Sequence, residues 1–220
     1  MHATKIERGF TLIELLIALA LFSIMSLLAW RGLDTVLQSR AAVEAPGRAA
    51  LELAAAWTQL EADLHAARTA AQSVQPAPHI TASAQQLTLL RAPAHCAGCW
   101  EGVVYDITQR DGDTVLQRRA TAAYSDAEAA RTALSQLTAN TPPATEHVLL
   151  RGATQMRIGA WRELSGAGAW QALGATGENV FPATSASTQS AAKAALKIEW
   201  QLTAPWDGWV SKIVLLENRW

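Results

Sequence analysis

From Phe10 to Trp30 the chain reads FTLIELLIALALFSIMSLLAW, a stretch with one ionisable side chain, Glu14, and neither Gly nor Pro. About twenty apolar residues cross a bilayer core as a helix, so the pattern predicts a transmembrane helix over 10–30. A polar leader, residues 1–9, precedes it with Lys5, Glu7 and Arg8. Lys5 and Arg8 favour a cytoplasmic amino terminus. Beyond Arg31, Val43, Ala50, Trp57 and Leu64 recur every seven residues, with Leu53 or Ala54, Leu60 and Ala67 between them. Glu52, Glu61, Asp63 and Arg68 fall off that stripe. An amphipathic helix over 31–72 is expected, its apolar side covered by a sheet or another helix. Ala49 and Ala56 are expected on its exposed flank. Pro46 cannot donate to the Ala42 carbonyl, so a kink is expected there.

Pro76-Ala77-Pro78 closes the helical region, and from 73 to 220 the pattern is that of short strands. Leu87–Leu90 is one. Val103–Thr108 and Thr114–Arg118 flank Asp111-Gly112, a tight-turn pair, and read as a hairpin. Ser125-Asp-Ala-Glu128 has the form of a capping box opening a short helix through Ala130, Leu134 and Leu137. Val148–Leu150 and Gln155–Ile158 follow. Leu196, Ile198, Trp200 and Leu202 alternate with polar residues as a half-buried strand, turned back by Pro205-Trp-Asp-Gly208 into Trp209–Leu216. Residues 174–195, rich in Ala, Ser, Thr and Gly, read as a surface loop. The fold class is therefore α+β: a long amino-terminal helix, membrane-spanning in its first half, packed on an antiparallel β-rich domain.

Composition narrows the function classes. Lys and Arg total 18 against 19 for Asp and Glu, which leaves no broad basic surface for nucleic acid. Half of the chain is apolar and 17% is charged, so disorder throughout is excluded. Two cysteines cannot build a disulfide-dense scaffold. Trp161, Trp170, Trp200, Trp206, Trp209 and Trp220 crowd the last third, most of them expected in core or hairpin packing and one or two exposed at an interface.

Candidate chemistry in the soluble part is thin. Cys96 and Cys99 form one C-x-x-C, which outside the cytoplasm reads plainly as a local disulfide. Zinc would need His79 or His65 to complete the site. A thioredoxin-like motif wants a strand before it and a helix after it, and here Trp100-Glu-Gly and a strand follow. Asp111-Gly112-Asp113 is explained by its turn without calcium. No hydrolase, metalloprotease or phosphate-loop motif occurs, so no enzyme, cofactor or metal is expected.

The apolar run itself poses two questions. A cleaved signal peptide would need small residues after it, and Leu27-Leu28-Ala29-Trp30-Arg31 is a poor site. A carboxylate within a membrane helix costs about 2.5–3.5 kcal/mol on insertion scales, so Glu14 either sits hydrated near the interface or has a partner.

Arg8-Gly9-Phe10-Thr11-Leu12-Ile13-Glu14 resembles the processing signature of type IV pilins and type II secretion pseudopilins. The resemblance implies cleavage after Gly9 by a prepilin peptidase and N-methylation of the new terminal Phe10. It also implies that Glu14 pairs with the Phe10 amine of a neighbouring subunit during assembly. Trp30-Arg-Gly-Leu-Asp34, Gln59–Leu64, Val148–Ile158, Trp161, Trp170, Lys197–Trp200 and Ser211–Val214 are similar to the J class of minor pseudopilins. The length agrees, since major and I-class subunits are shorter and K-class subunits are longer and lack the Glu. The implied role is non-enzymatic, at the tip of a periplasmic filament with the I and K classes and the major pseudopilin. The implied location is the inner membrane, spanned once, with the carboxy-terminal domain in the periplasm. A minor pilin of a type IV pilus shares the same first thirty residues, and a membrane-anchored periplasmic binding module is the third reading.

Overall fold

The computed structural model describes residues 11–73, 80–83, 85–139, 141–164, 167–173, 178–179 and 194–216. Among them the order is α1 (Leu12–Ser73), β1 (Ile80–Ala82), β2 (Gln86–Arg91), β3 (Glu101–Arg110), β4 (Asp113–Ala120), α2 (Ala127–Thr138), β5 (Thr145–Arg151), β6 (Ala153–Leu164), β7 (Ala167–Ala172), β8 (Glu178–Asn179), β9 (Ala194–Leu202) and β10 (Gly208–Leu216). This is the expected α+β, pilin-like architecture, a long amino-terminal helix followed by antiparallel sheets. The chain divides into two compact units, Met1–Arg48 and Ala49–Trp220. The division falls inside α1, two residues after Pro46, which lies within the helix.

In the first unit the apolar side chains of α1 stand exposed all round, Leu12, Leu16, Leu19, Phe22 and Met25 among them. This part of the helix is long and apolar enough to cross a membrane, and none of its apolar window is buried. A helix apolar on every side needs an apolar solvent.

In the second unit α1 buries one face only: Ala56, Trp57, Leu60, Asp63, Leu64 and Ala67. Trp57, Leu60, Leu64 and Ala67 of the expected stripe lie on this face. Its earlier members Val43 and Ala50 are exposed, since burial on α1 begins only near Leu53, while Ala56, expected outside, is fully buried and Ala49 is half-buried. Asp63, expected off the buried stripe, is inside it.

Two sheets receive this face, one in the order β5-β4-β3-β2-β1-β8 and one in the order β10-β9-β6-β7. Leu87, Leu89, Val103, Tyr105 and Leu116 of the first and Met156, Ile158, Leu196, Ile198 and Trp200 of the second form a single core with α1. The β3–β4 hairpin turns at Asp111 and Gly112, both at positive φ, as the turn pair requires. The chain passes between sheets at Gly152, where φ is +75° and an added Cβ would lie 2.4 Å from Thr203 Oγ1. Gly152 N–H donates to the Thr114 carbonyl, and its own carbonyl accepts from Thr203 N–H, each at 2.8 Å.

Helix α2 covers part of the other face of the six-stranded sheet, with Leu134 and Leu137 against Val104. Its cap is Asp126, whose side chain accepts from Ala129 N–H at 2.9 Å, one residue later than the Ser125 capping box predicts. Strands β1, β7 and β8 carry no strand pattern in the sequence, and β8 and the first residues of β9 lie within 174–195, where a loop is expected. Of the Trp residues in the last third, Trp200 is core and Trp161 and Trp170 pack edge-to-face across the β6–β7 hairpin with centroids 5.4 Å apart, whereas Trp206 and Trp209 are exposed. Trp220 and most of 174–195 lie outside the described residues.

Candidate functional site

The predicted processing residues Gly9 and Phe10 lie outside the described residues, and the description starts immediately after them at Thr11. Helix α1 begins at Leu12, which makes Thr11 its cap. The Thr11 carbonyl accepts from the N–H groups of Glu14 and Leu15 at 3.1 and 3.3 Å, and its hydroxyl lies 3.4 Å from Glu14 N. Thr11-Leu-Ile-Glu14 thus has capping-box spacing, with Glu14 in the third helical position, where the helix dipole favours an anion. Glu14, the expected assembly residue, therefore also suits the helix start. Among the described residues its exposed carboxylate has no hydrogen-bond or ion-pair partner. A carboxylate in an apolar helix without a partner among the described residues is a group that another molecule can satisfy.

The second constellation was not foreseen. Asp63, 0% exposed, accepts from Arg91 Nη1 at 2.6 Å, Arg118 Nε at 2.6 Å, the Tyr105 hydroxyl at 2.6 Å and Gln59 Nε2 at 3.0 Å. Arg91 also donates through Nε and Nη2 to Glu101 Oε2, at 2.9 and 2.6 Å. Two buried carboxylates therefore face two guanidiniums, and the charges cancel. Burial, then the charge of Asp63 and its hydrogen bond, push the Tyr105 phenol well above its ordinary pKa, so it stays a donor. Burial opposes the Arg118 cation, but the hydrogen bond and charge of Asp63 outweigh it, and its pKa is raised. Every group here holds a structural partner. The chemistry is that of a clamp between α1 and strands β2, β3 and β4.

Two further contacts hold α1 to the other sheet. Trp57 stacks on Trp200 with centroids 3.7 Å apart and planes within 9°. Glu61 pairs with Lys212 of β10 at 2.9 Å. With its inner side so occupied, α1 turns outward Ala50, Leu51, Ala54, Ala55, Thr58, Ala62 and His65, a stripe edged by the exposed Glu52 and by Glu61, which is paired with Lys212. Leu51 is 72% exposed.

Cys96 and Cys99 are joined by a disulfide, their Cα atoms 5.5 Å apart, in the loop between β2 and β3. His65 lies on α1, and His79 lies outside the described residues. Trp100, next to the disulfide, pairs its backbone with Tyr124.

A sequence profile of the prokaryotic N-terminal methylation motif matches residues 4–30. The match takes in Arg8 through Glu14 and the whole apolar run, and it supports a type IV pilin-like protein, pilin or pseudopilin. Such a motif implies processing by a prepilin peptidase and assembly with other pilin-like subunits. The apolar helix is consistent with a single membrane anchor with the β domain beyond it. No solved structure matches the chain.

Proposed function

We propose that the chain is a non-enzymatic minor pseudopilin of the J class, at the tip of a type II secretion filament that supports export of folded proteins across the outer membrane. On this reading a prepilin peptidase hydrolyses the Gly9–Phe10 bond on the cytoplasmic side. The methylated amine of Phe10 then pairs with Glu14 of a neighbouring subunit in the inner membrane, while the β-rich domain lies in the periplasm. The observation that carries the reading is the methylation motif placed directly before Glu14, whose carboxylate has no partner among the described residues. In low dielectric an ion pair is strongly favoured over an unpaired charge, so the pair sets axial register. The outward stripe of α1 supports assembly with sister subunits, since its small side chains allow a neighbouring helix to approach.

Intact-mass measurement of protein extracted from membranes is the first test. A mature protein beginning at methylated Phe10 is expected, and a chain beginning at Met1 or cut near Trp30 would sink the reading. Glu14→Ala should insert normally yet lose crosslinking to I- and K-class subunits and reduce export. Ala54→Glu, in the middle of the outward stripe, should abolish partner retention without lowering the melting temperature. Co-purification with pilus subunits in place of I- and K-class partners would make the chain a minor pilin. Retention of no subunit at all would leave an anchored binding module.

A further inference from the structure

The assembly reading makes no use of the buried carboxylate of Asp63. Packing admits a second register of α1 on the sheets at some cost. If the helix slides by one turn, about 5.4 Å, Leu60 arrives where Leu64 lies and Leu53 where Trp57 lies, so apolar groups again meet the core, while the smaller Ala56 arrives where Leu60 lies and Trp57 leaves Trp200. Asp63 adds a polar condition that the slid helix cannot meet. The same slide brings Gln59 before Arg91, Tyr105 and Arg118 and carries the carboxylate into the apolar place of Ala67, which is fully buried. The buried Arg118 and the half-buried Arg91 would then lose their shared acceptor, at 2.6 Å each in the observed register, and Arg91 would keep only Glu101. The three donors come from three adjacent strands, with Tyr105 directly opposite Arg118 and Arg91 opposite Glu101. They converge on one point of the sheet surface and accept one residue of the helix.

We infer that Asp63 is a positioning residue: its clamp selects one register and one rotation of α1, and so fixes which helix face is offered outward, while the apolar core holds the fold. Buried ion networks are often replaceable by apolar groups without loss of stability, and their best-attested use is the setting of register. The inference concerns packing within the chain. The experiment reads the isolated protein, so its failure leaves the assembly reading standing.

The test uses the full chain in detergent with nitroxide labels at exposed sites, through Ala62→Cys combined with Gln109→Cys or with Ser211→Cys. Cys96 and Cys99 are disulfide-bonded and do not react. Pulsed electron spin resonance on the parent should give one distance peak for each pair. The clamp is then exchanged as a whole for apolar or neutral groups of similar size, Asp63→Leu, Arg91→Met, Tyr105→Phe, Arg118→Met and Glu101→Gln. This variant should keep cooperative melting and show a second distance population, separated from the first by up to about 5 Å, one helical turn. The isosteric Asp63→Asn, which keeps the shape and the Tyr105 bond, should show the same second population at lower occupancy. A single parental peak in the variants that fold overturns the inference. Failure of both variants to fold overturns it as well, since the network would then hold the fold and not choose the register.

Discussion

Trp57→Ala is the perturbation whose size follows most directly from the packing. Trp57 is 9% exposed and lies flat against Trp200, itself 1% exposed, at 3.7 Å between centroids. Truncating a buried Trp to Ala costs about 3–5 kcal/mol, part for lost burial and part for the cavity. Each kcal/mol moves the melting temperature of a unit of this size, Ala49–Trp220, by about 2–4 °C. The expected drop is thus about 6–20 °C. Near-ultraviolet circular dichroism of the full chain in detergent is the readout, because helical signal from the apolar segment does not report on this core. A cycle with Trp200→Ala should return a coupling of about 0.5–1.5 kcal/mol for the stacked pair. Trp200→Phe should be milder than Trp57→Phe, since the Trp200 indole N–H is buried without an acceptor among the described residues and its removal offsets about 1–3 kcal/mol. A Trp57→Ala loss below about 1 kcal/mol, or a strictly additive cycle, would refute the reasoning.

Removing one member of the clamp is expected to be costly where replacing all of it is not: Asp63→Ala should lose about 3–5 kcal/mol, chiefly by leaving the buried Arg118 without its carboxylate, while Arg91 keeps Glu101, read by the same melts. The raised pKa of Tyr105 gives a pH test with a definite sign. The unfolded phenol releases its proton near pH 10 while the folded one holds it, so the contribution is full below pH 10 and is lost as pH rises above it; melts from pH 8 to 11 should show an alkaline decline that Tyr105→Phe reduces. Gly152→Ala should cost at least about 1–3 kcal/mol for its positive φ, and Thr203→Ala should recover only the steric part, because it removes the hydroxyl 2.4 Å from the added Cβ.

Where local pattern and tertiary environment agree, the elements were legible. The alternation of Leu196, Ile198, Trp200 and Leu202 reads directly as the inward face of β9, all four being buried. Asp111-Gly112 marks its hairpin because few residues tolerate two successive positive φ angles. Strand β7, Ala167–Ala172, has no such signature: its sequence lacks β-branched residues, and pairing with β6 along the whole of its length makes it a strand. The clamp was missed because a charge on a helix was assigned to water. A signal was present. Arg91 is in phase with Leu87 and Leu89, Tyr105 with Val103, and Arg118 with Leu116 and Ala120, so three polar residues stood on inward positions and required a buried acceptor. Asp63 keeps helical spacing with Ala56, Leu60 and Ala67, in the row beside Trp57 and Leu64, and an apolar face one row wider would have included it.

The outward stripe of α1 bears on the choice between an assembling subunit and a tethered binding module. Ala, the strongest helix former, fills Ala50, Ala54, Ala55 and Ala62, and propensity by itself explains Ala over Ser or Thr at such places. It does not explain Ala over Glu, Lys or Arg, which are nearly as good in a helix and are the usual residues of a face that stays in water. Leu51, 72% exposed on the same stripe, gains nothing from propensity that Lys would not give. A module hung from its anchor has no use for an uncharged helix face, because its ligand site can lie anywhere on the sheets. A subunit that packs helix against helix needs small side chains and no fixed charge along that face, since an ion buried there without a counter-ion would weaken the contact. The stripe lies on the side of α1 opposite the core, on the same helix that begins with the methylation motif, and both features fit lateral packing in a filament.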